Sequence, residues 1–371
     1  MRIVFVGGGT GGHFYPLIAV REALDAYPGS RDYYYMGPVP YDAALLASHN
    51  ITFIPCPAGK LRLYFSIQNI FDVFRNFVGF FVAFFKLYAL YPDVIFSKGG
   101  YTSVPVLLAA KFLRIPVVIH ESDTVPGRAN LMARSFARYI AISYPDVASY
   151  FDASKTALTG IPIRKELLTT DPDPFTTLGI PNDLPLVYIT GGSSGAERLN
   201  TLVLNCLDSL LPVCRVYHQT GKGNLEGLKL TAKSLITDPA LQSHYYIADL
   251  LDAPKVNALM SAASVIITRA GSTTLFEIAL HGTPSIIIPI PEDISRDQRT
   301  NAYAFARAGA ASVIEEQNLT EALLVSEIRS IIGDSAAWQA MSAAAKQFAP
   351  RDAAAKIATV LISIGQEHES K

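Results

Sequence analysis

The sequence predicts an α/β protein with two Rossmann-like domains, each built on a parallel sheet. Three observations support this: short apolar runs alternate with helix-length segments, the alternation breaks once near the middle, and glycine-rich turns follow several of the runs. Alternation of strands and helices implies crossover connections, and therefore parallel strands. A chain of 371 residues also suits two domains better than one.

The predicted strands are short apolar runs, and most of them are followed by a segment of helical length. The strands span residues 3–6, 33–37, 93–96, 116–120, 139–142, 186–190, 215–218, 265–268 and 285–288. Helices are predicted over residues 17–27, 199–211 and 274–281, among others. This pattern is typical of buried strands that alternate with covering helices.

The alternation breaks just after residue 160. Gly160-Ile161-Pro162-Ile163-Arg164 begins the break, and four further prolines follow before residue 186. Dense prolines and lost periodicity are typical of a linker between domains. We therefore expect domains over 1–160 and 165–345 with a cleft between them. A last helix, over about 350–366, is expected to pack on either domain.

Composition and charge exclude several classes of protein. Charged residues make up 17% of the chain and the formal net charge is −1, so no nucleic-acid partner is predicted. The three cysteines, Cys56, Cys206 and Cys214, show no metal-ligand or redox spacing, which indicates a reducing compartment and no metal site. The N-terminus lacks a signal-peptide pattern, and no apolar run reaches the roughly 18 residues of a spanning helix.

Four glycine-containing turns follow predicted strands, at residues 7–13, 98–101, 191–195 and 269–272. Glycine lets the backbone turn tightly, and a phosphate can then approach the N-terminus of the next helix. Since open α/β sheets bind ligands at the carboxyl ends of their strands, four such turns favour a phosphate-rich cleft over ordinary connecting loops. The first turn also fits a dinucleotide fingerprint, but the strand over 33–37 lacks the acidic ribose ligand, which argues against NAD.

These turns belong to a longer set of motifs. The set is 7–13 followed by Pro16, 98–101, His120-Glu121, Gly160-x-Pro162-x-Arg164, 191–196 with Asn200, His218-Gln219-x-Gly221-Lys222, and 269–277. Across essentially the whole chain this set resembles the MurG family, the peptidoglycan N-acetylglucosaminyltransferases that convert lipid I to lipid II. Three positions depart from the family pattern: Ser122-Asp123 replaces Gln-Asn, Ile161 replaces Asn, and Asp297-Gln298 with Asn301 stands where paired glutamines are common.

The resemblance implies a GT-B fold, with the donor in the C-terminal half and the C-terminal helix crossing back to the first domain. The implied donor is UDP-N-acetylglucosamine, and the implied acceptor is N-acetylmuramyl pentapeptide linked to undecaprenyl diphosphate. Transfer to the 4-hydroxyl would invert the anomeric centre and form a β-1,4 bond, without a metal or other cofactor. The reaction would take place at the cytoplasmic face of the plasma membrane.

His13 and Glu121 are the candidate catalytic residues. His13 begins a helix, where the dipole disfavours an imidazolium, so a neutral ring able to accept a proton is expected. It would serve as general base for the acceptor hydroxyl or bind the acceptor diphosphate. Glu121 and Asp123 follow a strand end and would orient the acceptor or act as the base instead. By resemblance, the acceptor-binding residues are Gly9, His13, Tyr101, Asp123 and Asn130.

The donor-binding candidates come from both halves of the sequence. They are Thr10, Gly11, Gly12, Arg164, Ser193, Asn200, Arg269, Ser272, Thr273, Glu277, Gln298 and Asn301. A carboxylate at Glu277 can accept two hydrogen bonds from ribose hydroxyls, and the resemblance favours that role over interaction with the helix N-terminus. Ser193, Ser272 and Thr273 would hold the leaving diphosphate. Arg269 would neutralise the diphosphate or form a structural ion pair, and Arg164 would contact the donor or clamp the linker.

Residues 64–90 form an unusually aromatic segment. Polar or small residues recur every three or four positions, which predicts a helix with a narrow polar stripe. Eight of the 19 phenylalanines lie between Phe65 and Phe85, flanked by the basic residues Lys60, Arg62, Arg75 and Lys86. This composition suits contact of residues 60–90 with an anionic membrane surface, and the alternatives are a core helix or a dimer interface.

Other functions fit parts of the sequence. A transferase to another lipid acceptor, such as diacylglycerol, would need the same donor half. A UDP-sugar epimerase would share the fold but leave the aromatic helix without a purpose. A nicotinamide-dependent oxidoreductase would rest on the first glycine turn alone, and a non-catalytic lipid-binding protein would have an empty donor site.

Overall fold

The computed structural model describes residues 1–60, 67–192, 195–295 and 297–369. The chain divides into two compact units, one formed by Met1–Lys165 with the chain from Pro350 onward, the other by Glu166–Ala349. Every strand pairing in the described residues is parallel within one of two sheets. The predicted fold class, α/β with two Rossmann-like parallel sheets, is confirmed.

The sheet of the first unit has the strand order β3-β2-β1-β4-β5-β6-β7. Its strands are β1 (Arg2–Val6), β2 (Asp32–Gly37), β3 (Ile51–Pro55), β4 (Val94–Ser97), β5 (Val117–Glu121), β6 (Tyr139–Ile142) and β7 (Thr156–Leu158). The central strands β4 and β5 are buried along their whole length, as expected for apolar strands covered by helices on both faces. The direction of the strand order reverses between β1 and β4.

The helices of the first unit connect these strands. They are α1 (Gly11–Leu24), α2 (Ala43–Ser48), α3 (Gln68–Leu90), α4 (Val104–Leu113) and α5 (Arg128–Ala133). Helix α1 buries Phe14, Leu17 and Ile18 against one face of the sheet. Helices α3 and α4 contribute Ala83, Leu87 and a row of α4 residues to the core on the other face.

The sheet of the second unit has the order β10-β9-β8-β11-β12-β13. Its strands are β8 (Leu186–Thr190), β9 (Arg215–Gln219), β10 (Tyr245–Ala248), β11 (Val265–Thr268), β12 (Ser285–Ile287) and β13 (Ala311–Val313). Here too the central strands β8 and β11 are buried throughout. The strand order reverses between β8 and β11.

The helices of the second unit are mostly short and locally capped. They are α6 (Pro174–Leu178), α7 (Glu197–Leu210), α8 (Leu225–Leu235), α9 (Pro239–Gln242), α10 (Ala253–Ala262), α11 (Ser272–His281), α12 (Gln298–Arg307), α13 (Glu321–Gly333) and α14 (Ser335–Phe348). The Thr320 hydroxyl and the Asp334 carboxylate accept hydrogen bonds from backbone amides in the first turns of α13 and α14. The left-handed Gly282 ends α11.

The last helix, α15 (Ala353–Glu369), belongs to the first unit. Its apolar side chains Ile357, Leu361 and Ile364 join the core formed by β1 and α1. The Tyr27 hydroxyl lies 2.6 Å from the Thr359 hydroxyl, and Arg138 pairs with Glu367 at 2.7 Å. The chain thus finishes on the unit in which it began.

Helix α3 reverses the usual arrangement of an amphipathic helix. Its narrow stripe of small and polar residues faces inward, where Asp72 and Gly79 are buried and Asn76 exchanges hydrogen bonds of 2.9 and 3.0 Å with Gly59. A Cβ on Gly79 would lie 1.9 Å from the carbonyl oxygen of Pro57, so only glycine allows this approach. The exposed large apolar side chains of α3 are Ile70, Phe71, Val73, Phe74, Phe77, Val78, Phe81, Phe85 and Tyr88.

The composition of this segment bears on the expectation that no apolar run is long enough to span a membrane. Helix α3 is long and apolar enough to cross a membrane by length and composition, although no uninterrupted apolar run predicts it. Asp72 and Arg75 interrupt the run without making the helix polar on average. The expected contribution of Arg62 and Phe65, and the predicted start of the helix at residue 64, lie outside the described residues.

Candidate active site

In the first unit, two predicted glycine turns meet where the strand order reverses. The loop after β1 contains Gly7, and the turn after β4 contains Lys98 and Gly99. A Cβ on Gly7, whose φ is +130°, would lie 2.8 Å from Cβ of Lys98, so the two loops touch through glycine. This reversal point is where open α/β sheets bind ligands.

The residues expected to bind the acceptor gather around these turns. A Cβ on Gly9 would lie 3.4 Å from the Tyr101 ring, and one on Gly100 would lie 3.6 Å from the imidazole of His13. A Cβ on Gly99 would lie 2.9 Å from Oδ1 of Asn130. Tyr101, His13 and Asn130 therefore surround one glycine turn, although sequence separates them widely.

His13 lies in the first turn of α1. Its Nδ1 is 2.9 Å from the Thr10 hydroxyl, and Thr10 occupies the N-cap position in an extended conformation. The first turn of α1, described throughout, carries no acidic residue, so the helix dipole there favours an anion. Gly11 and Gly12, expected to contact the donor, form this turn in the first unit.

Glu121 is buried, with only 3% of its surface exposed. Its carboxylate accepts hydrogen bonds from the amides of Ser122 (2.9 Å), Asp123 (3.2 Å) and Gly127 (2.8 Å), and from the Asn130 side chain (2.9 Å). Burial raises the pKa of Glu121, and the donated hydrogen bonds oppose that rise. In this geometry Glu121 holds the 122–127 loop, and its expected role as base stays a prediction.

A second buried group in this unit has no counterpart among the sequence-predicted site residues. Nζ of Lys98 lies 2.6 Å from Nδ1 of His120 and donates to the Ser122 hydroxyl. Nε2 of His120 lies 2.9 Å from the carbonyl of Gly160, so Nε2 carries the proton and Nδ1 accepts. Burial lowers the pKa of Lys98 to about 7, and it lowers the pKa of His120 well below its usual value.

One sequence signal points to Lys98. It directly follows an apolar strand, and β5, which ends in His120-Glu121, is the parallel neighbour of that strand. Carboxyl ends of parallel neighbours meet at one edge of a sheet. Because β4 and β5 are adjacent parallel strands, Lys98 lies next to the His120-Glu121 pair.

In the second unit, glycine turns again meet at the strand-order reversal. The loop after β8 begins with Gly191 and Gly192, and the loop after β11 leads into α11 at Ser272. A Cβ on Gly195 would lie 2.5 Å from the carbonyl of Thr220, which brings the loop after β9 to the same place. Ser193, expected to hold the diphosphate, lies outside the described residues.

Asn200 supports this site from below. It is 1% exposed, and its Nδ2 donates to the Thr220 carbonyl at 2.9 Å. Its Oδ1 lies 3.0 Å from Nε2 of His218, whose Nδ1 lies 2.9 Å from the Tyr245 hydroxyl. Both ends of the Asn200 side-chain amide therefore bond to protein, and its expected contact with the donor stays a prediction.

Gln298 and Asn301 support the loop after β11 rather than standing at the surface. Oε1 of Gln298 accepts hydrogen bonds from the amides of Ala270 (3.2 Å) and Ile290 (3.3 Å). Asn301 is fully buried, and its Nδ2 donates to the carbonyl of Ala270 at 3.5 Å. Each side chain thus fixes the backbone that precedes Ser272.

The two predicted arginines lie in structural contacts. Arg269 donates to Glu316 at 2.6 Å and to the carbonyl of Ile288 at 3.2 Å, which is the ion-pair alternative. Arg164 belongs to the first unit, where its guanidinium lies 4.2 Å from the centre of the Tyr15 ring. The sequence left open whether Arg164 contacts the donor or clamps the linker, and this contact with Tyr15 fits the second alternative.

The first turns of α11 hold the remaining donor candidates. Ser272 is buried, Thr273 is half-buried, and no acidic residue stands in the first turn of this helix, all of which is described. Glu277 is half-buried one turn further on. Burial is the chief cause of the raised pKa of the Tyr188 phenol on β8, and the charge of the nearby Glu277 raises it further. Helix amides for an anion and a carboxylate for hydroxyls are thus combined on one short helix.

Known proteins match over both units. Models of the glycosyltransferase family 28 N-terminal and C-terminal domains match residues 3–142 and 186–357. A Treponema denticola protein named UDP-N-acetylglucosamine–N-acetylmuramyl-(pentapeptide) pyrophosphoryl-undecaprenol N-acetylglucosamine transferase is 36% identical over 343 residues, 89% of this chain and 88% of the relative.

Solved structures share the fold at lower identity. MurG from Acinetobacter baumannii gives a TM-score of 0.73 at 24% identity, over 98% of this chain and 99% of that chain. A UDP-N-acetylglucosamine 2-epimerase from Listeria monocytogenes gives 0.71 at 13% identity, over 99% and 97%. The epimerase shares the architecture alone, whereas the transferase match extends through the sequence, so the chain belongs to the MurG family of glycosyltransferases.

Proposed function

We propose that this chain transfers N-acetylglucosamine from UDP-N-acetylglucosamine to the lipid-linked N-acetylmuramyl pentapeptide named in its relatives. The observation that carries the proposal is the repeated site: each sheet has glycine turns and a helix N-terminus at its strand-order reversal. Two anion-binding sites in one chain suit a reaction in which both substrates carry a diphosphate. The first unit would take the acceptor and the second unit the donor.

The chemistry is a displacement at the anomeric carbon. The acceptor 4-hydroxyl oxygen forms a bond to C1 of the sugar, the bond from C1 to the UDP phosphate oxygen breaks, and UDP leaves with the electron pair. His13 takes the hydroxyl proton on Nε2 while Nδ1–H donates to Thr10, 2.9 Å away. The amides and hydroxyls of Ser272 and Thr273 stabilise the charge on UDP, and Glu277 holds the ribose.

In this proposal the acceptor diphosphate lies on the first turn of α1. That turn has no acidic residue, and it lies beside Gly9 and Gly100. Tyr101 would then face the muramyl group, and the buried Asn130 would support the Gly99-Gly100 turn from beneath. Asp123 would stand beside the muramyl group on the loop that its amide hydrogen bond to Glu121 helps to hold.

The aromatic face of α3 would contact the membrane. Phe71, Phe74 and Phe77 are each at least 60% exposed, and the ring of Phe112 on α4 extends the face, 5.4 Å from Phe80. Lys60 and Lys86 add positive charge, while Arg75 pairs with the buried Asp72 at 3.6 Å. An apolar face with basic flanks suits anionic lipid, at the cytoplasmic side where the sugar nucleotide is available.

Helix α3 would lie in the membrane surface rather than cross it. Its inward stripe packs on α4 and on the 57–59 segment, where Asn76 and Gly79 make close polar and backbone contacts. Crossing would strip away those contacts and expose Asp72 and Asn76 to hydrocarbon. An interfacial position keeps the protein contacts and buries the phenylalanines.

Radiolabelled UDP-N-acetylglucosamine and a short-chain lipid I analogue test the transfer. We expect label in a disaccharide lipid, with loss of at least about a hundredfold in kcat/KM for His13→Ala. Glu277→Ala should raise the donor KM about tenfold or more through the lost ribose hydrogen bonds. Glu226→Gln replaces an exposed carboxylate on α8 and is the control, which should leave kcat/KM and the donor KM unchanged.

Three outcomes would redirect the proposal. Label in a 2-epimer of the donor without any acceptor would make the chain an epimerase. Transfer to diacylglycerol instead of the lipid I analogue would keep the donor half and replace the acceptor. Full activity of His13→Ala would remove His13 from the role of base.

Sedimentation with lipid vesicles tests the membrane contact. Binding should be strong to vesicles of phosphatidylglycerol and phosphatidylcholine, and Phe74→Ser with Phe77→Ser should reduce it at least about tenfold. Leu230→Ser removes an equally exposed apolar side chain from α8 and is the control. Self-association without vesicle binding would assign the face to a dimer instead.

A further inference from the structure

Lys98 occupies an unusual place in the first unit. It is 2% exposed, and its backbone follows β4 directly into the Gly99-Gly100 turn. Its side chain points away from that turn and reaches His120 and Ser122 at the end of β5. One residue therefore joins the turn beside His13 to the loop that contains Asp123.

Burial lowers the pKa of Lys98 to about 7, and the groups around it partly offset that fall. His120 is held neutral, because its Nε2–H donates to Gly160 and its Nδ1 accepts from Lys98. The carboxylates of Glu121 and Asp123 favour the charged form of Lys98 electrostatically. A cation with two nearby carboxylates, two hydrogen-bond partners and little exposure is a built ion cluster rather than a surface charge.

The loop after Glu121 contributes to the same cluster. Ser122 and Asp123 place a small hydroxyl and a carboxylate there. The Ser122 hydroxyl accepts from Lys98, and the Asp123 charge favours the charged form of Lys98. The loop and the lysine thus form one electrostatic unit.

We propose that Lys98 is a positioning residue for the acceptor, fixing the Gly99-Gly100 turn relative to the Ser122-Asp123 loop. This inference rests on the proposed function. Lys98 lies beneath the turn and does not touch the reacting atoms, so its effect is exerted through Gly100 beside His13 and Gly99 beside Asn130. Removing its charge displaces both, and takes away its attraction for the Asp123 carboxylate.

The test compares steady-state constants for donor and acceptor in the full chain. Lys98→Met should raise the acceptor KM about tenfold, as expected for loss of a charged hydrogen bond, with the donor KM unchanged. Ser122→Ala removes one hydrogen-bond partner and should raise the acceptor KM about threefold. Lys229→Met on exposed α8 is the matched control and should behave as wild type.

A charge-coupled pair makes the test specific. Asp123→Asn should weaken acceptor binding in the wild-type background. In the Lys98→Met background the same substitution should restore acceptor affinity several-fold, because the Asp123 carboxylate that Lys98 no longer attracts is removed. Loss of stability alone would not produce such rescue. Thermal unfolding of each variant, and UDP binding by calorimetry, show that the fold and the donor unit are intact.

Different results would overturn the proposed function and the positioning role of Lys98. A wild-type protein without transfer to lipid I analogue would overturn the proposed function, and this inference with it. Active wild type with an unchanged acceptor KM in both Lys98→Met and Ser122→Ala would overturn the positioning role alone. Equal increases of donor and acceptor KM in Lys98→Met, without rescue by Asp123→Asn, would make Lys98 merely structural. If Lys98→Met fails to fold, Ser122→Ala alone decides the outcome.

Discussion

The two units place different polar networks beneath equivalent glycine turns. In the first unit the network contains ionisable groups, with Lys98 bonded to His120 and Glu121 bonded to three amides and Asn130. In the second unit the network beneath the turn after β8 is neutral: His218 joins Asn200 and Tyr245, while the Tyr188 hydroxyl donates to Gln219 at 2.5 Å. The turn after β11 is held in addition by the ion pair of Arg269 with Glu316. The sheets and the location of the turns are alike, but the groups that hold the turns are not.

The difference between the two networks predicts how the stability of each unit responds to deletion of a side chain and to acid. A buried charged network is damaged most by deleting one member, since the remaining charge or amides lose their partners. A buried neutral network tolerates some deletions but is damaged by protonation, because it has no counter-charge. Deleting one member of the network should therefore destabilise the first unit more, and acid should destabilise the second unit more.

The largest expected effect is in the first unit. Glu121→Leu leaves three amides and the Asn130 side chain without their acceptor, and it should lower the free energy of unfolding of that unit by about 3–5 kcal/mol. Calorimetry, which resolves the two units if they melt separately, measures the change. Glu121→Gln keeps one acceptor oxygen and should lose less.

A control sharpens this result. Glu226→Leu, on exposed α8, should leave both melting transitions in place. If Glu121→Leu instead retained wild-type stability and lost only turnover, Glu121 would be catalytic, as the sequence led us to expect.

The next effect is acid sensitivity of the second unit. Burial lowers the pKa of His218 to about 4, whereas the unfolded chain titrates near 6.5. The unfolded state thus binds a proton that the folded state refuses, so this contribution to stability is complete above pH 6.5 and is lost as pH falls through 4. It amounts to about 3 kcal/mol.

Unfolding of wild type and of His218→Gln from pH 7 to 4 measures that contribution. Glutamine retains a donor toward Asn200 and does not titrate in this range, so the variant should lose less stability on acidification. Identical pH dependence of the two proteins would show that His218 is protonated in the folded state.

A smaller effect is expected at Gln298. Gln298→Ala removes the acceptor shared by the amides of Ala270 and Ile290, and should weaken UDP binding about three- to tenfold through the loop before α11. Gln298→Glu keeps acceptor oxygens and should bind more nearly like wild type. Calorimetric titration with UDP distinguishes them, and unchanged affinity in the alanine variant would exclude this support role.

The smallest effect is at the periphery of the second unit. Arg299 pairs with Glu292 at 3.0 Å and with Glu315 at 2.7 Å, but it is solvent-exposed. Arg299→Met should leave the melting temperature and both KM values within experimental error, because exposed ion pairs contribute little. A clear loss of stability would show that charge matters in this unit too, and would weaken the contrast with the first.

Sequence reasoning predicted the interior of both sheets but not their borders. The strands that it missed are β3, β7, β10 and β13, which are the four sheet edges. Their residues are largely half-exposed or exposed, so they lack the continuous apolar run of a strand buried on both faces. Pairing with a single neighbour, which sequence does not display, is what makes them strands.

For the site, sequence located the turns but did not separate contact from support. Gly9, His13 and Tyr101 come together as expected. Asn200 and Asn301 stand in equally recognisable motifs, yet both are buried beneath the loops. Lys98 carries no role in the sequence interpretation, since its importance depends on which strand lies beside β4. A motif records that a residue matters at a position, whereas burial decides whether it touches a ligand.

The outward aromatic face of α3 also affects how the enzyme would be assayed. An enzyme that works from a surface meets its lipid substrate in two dimensions, so the mole fraction of acceptor in the vesicle sets the rate, while its bulk concentration does not. Added detergent would then act as a diluent, spreading the acceptor over more interface. Turnover numbers for this protein have meaning only when the composition and area of that interface are stated.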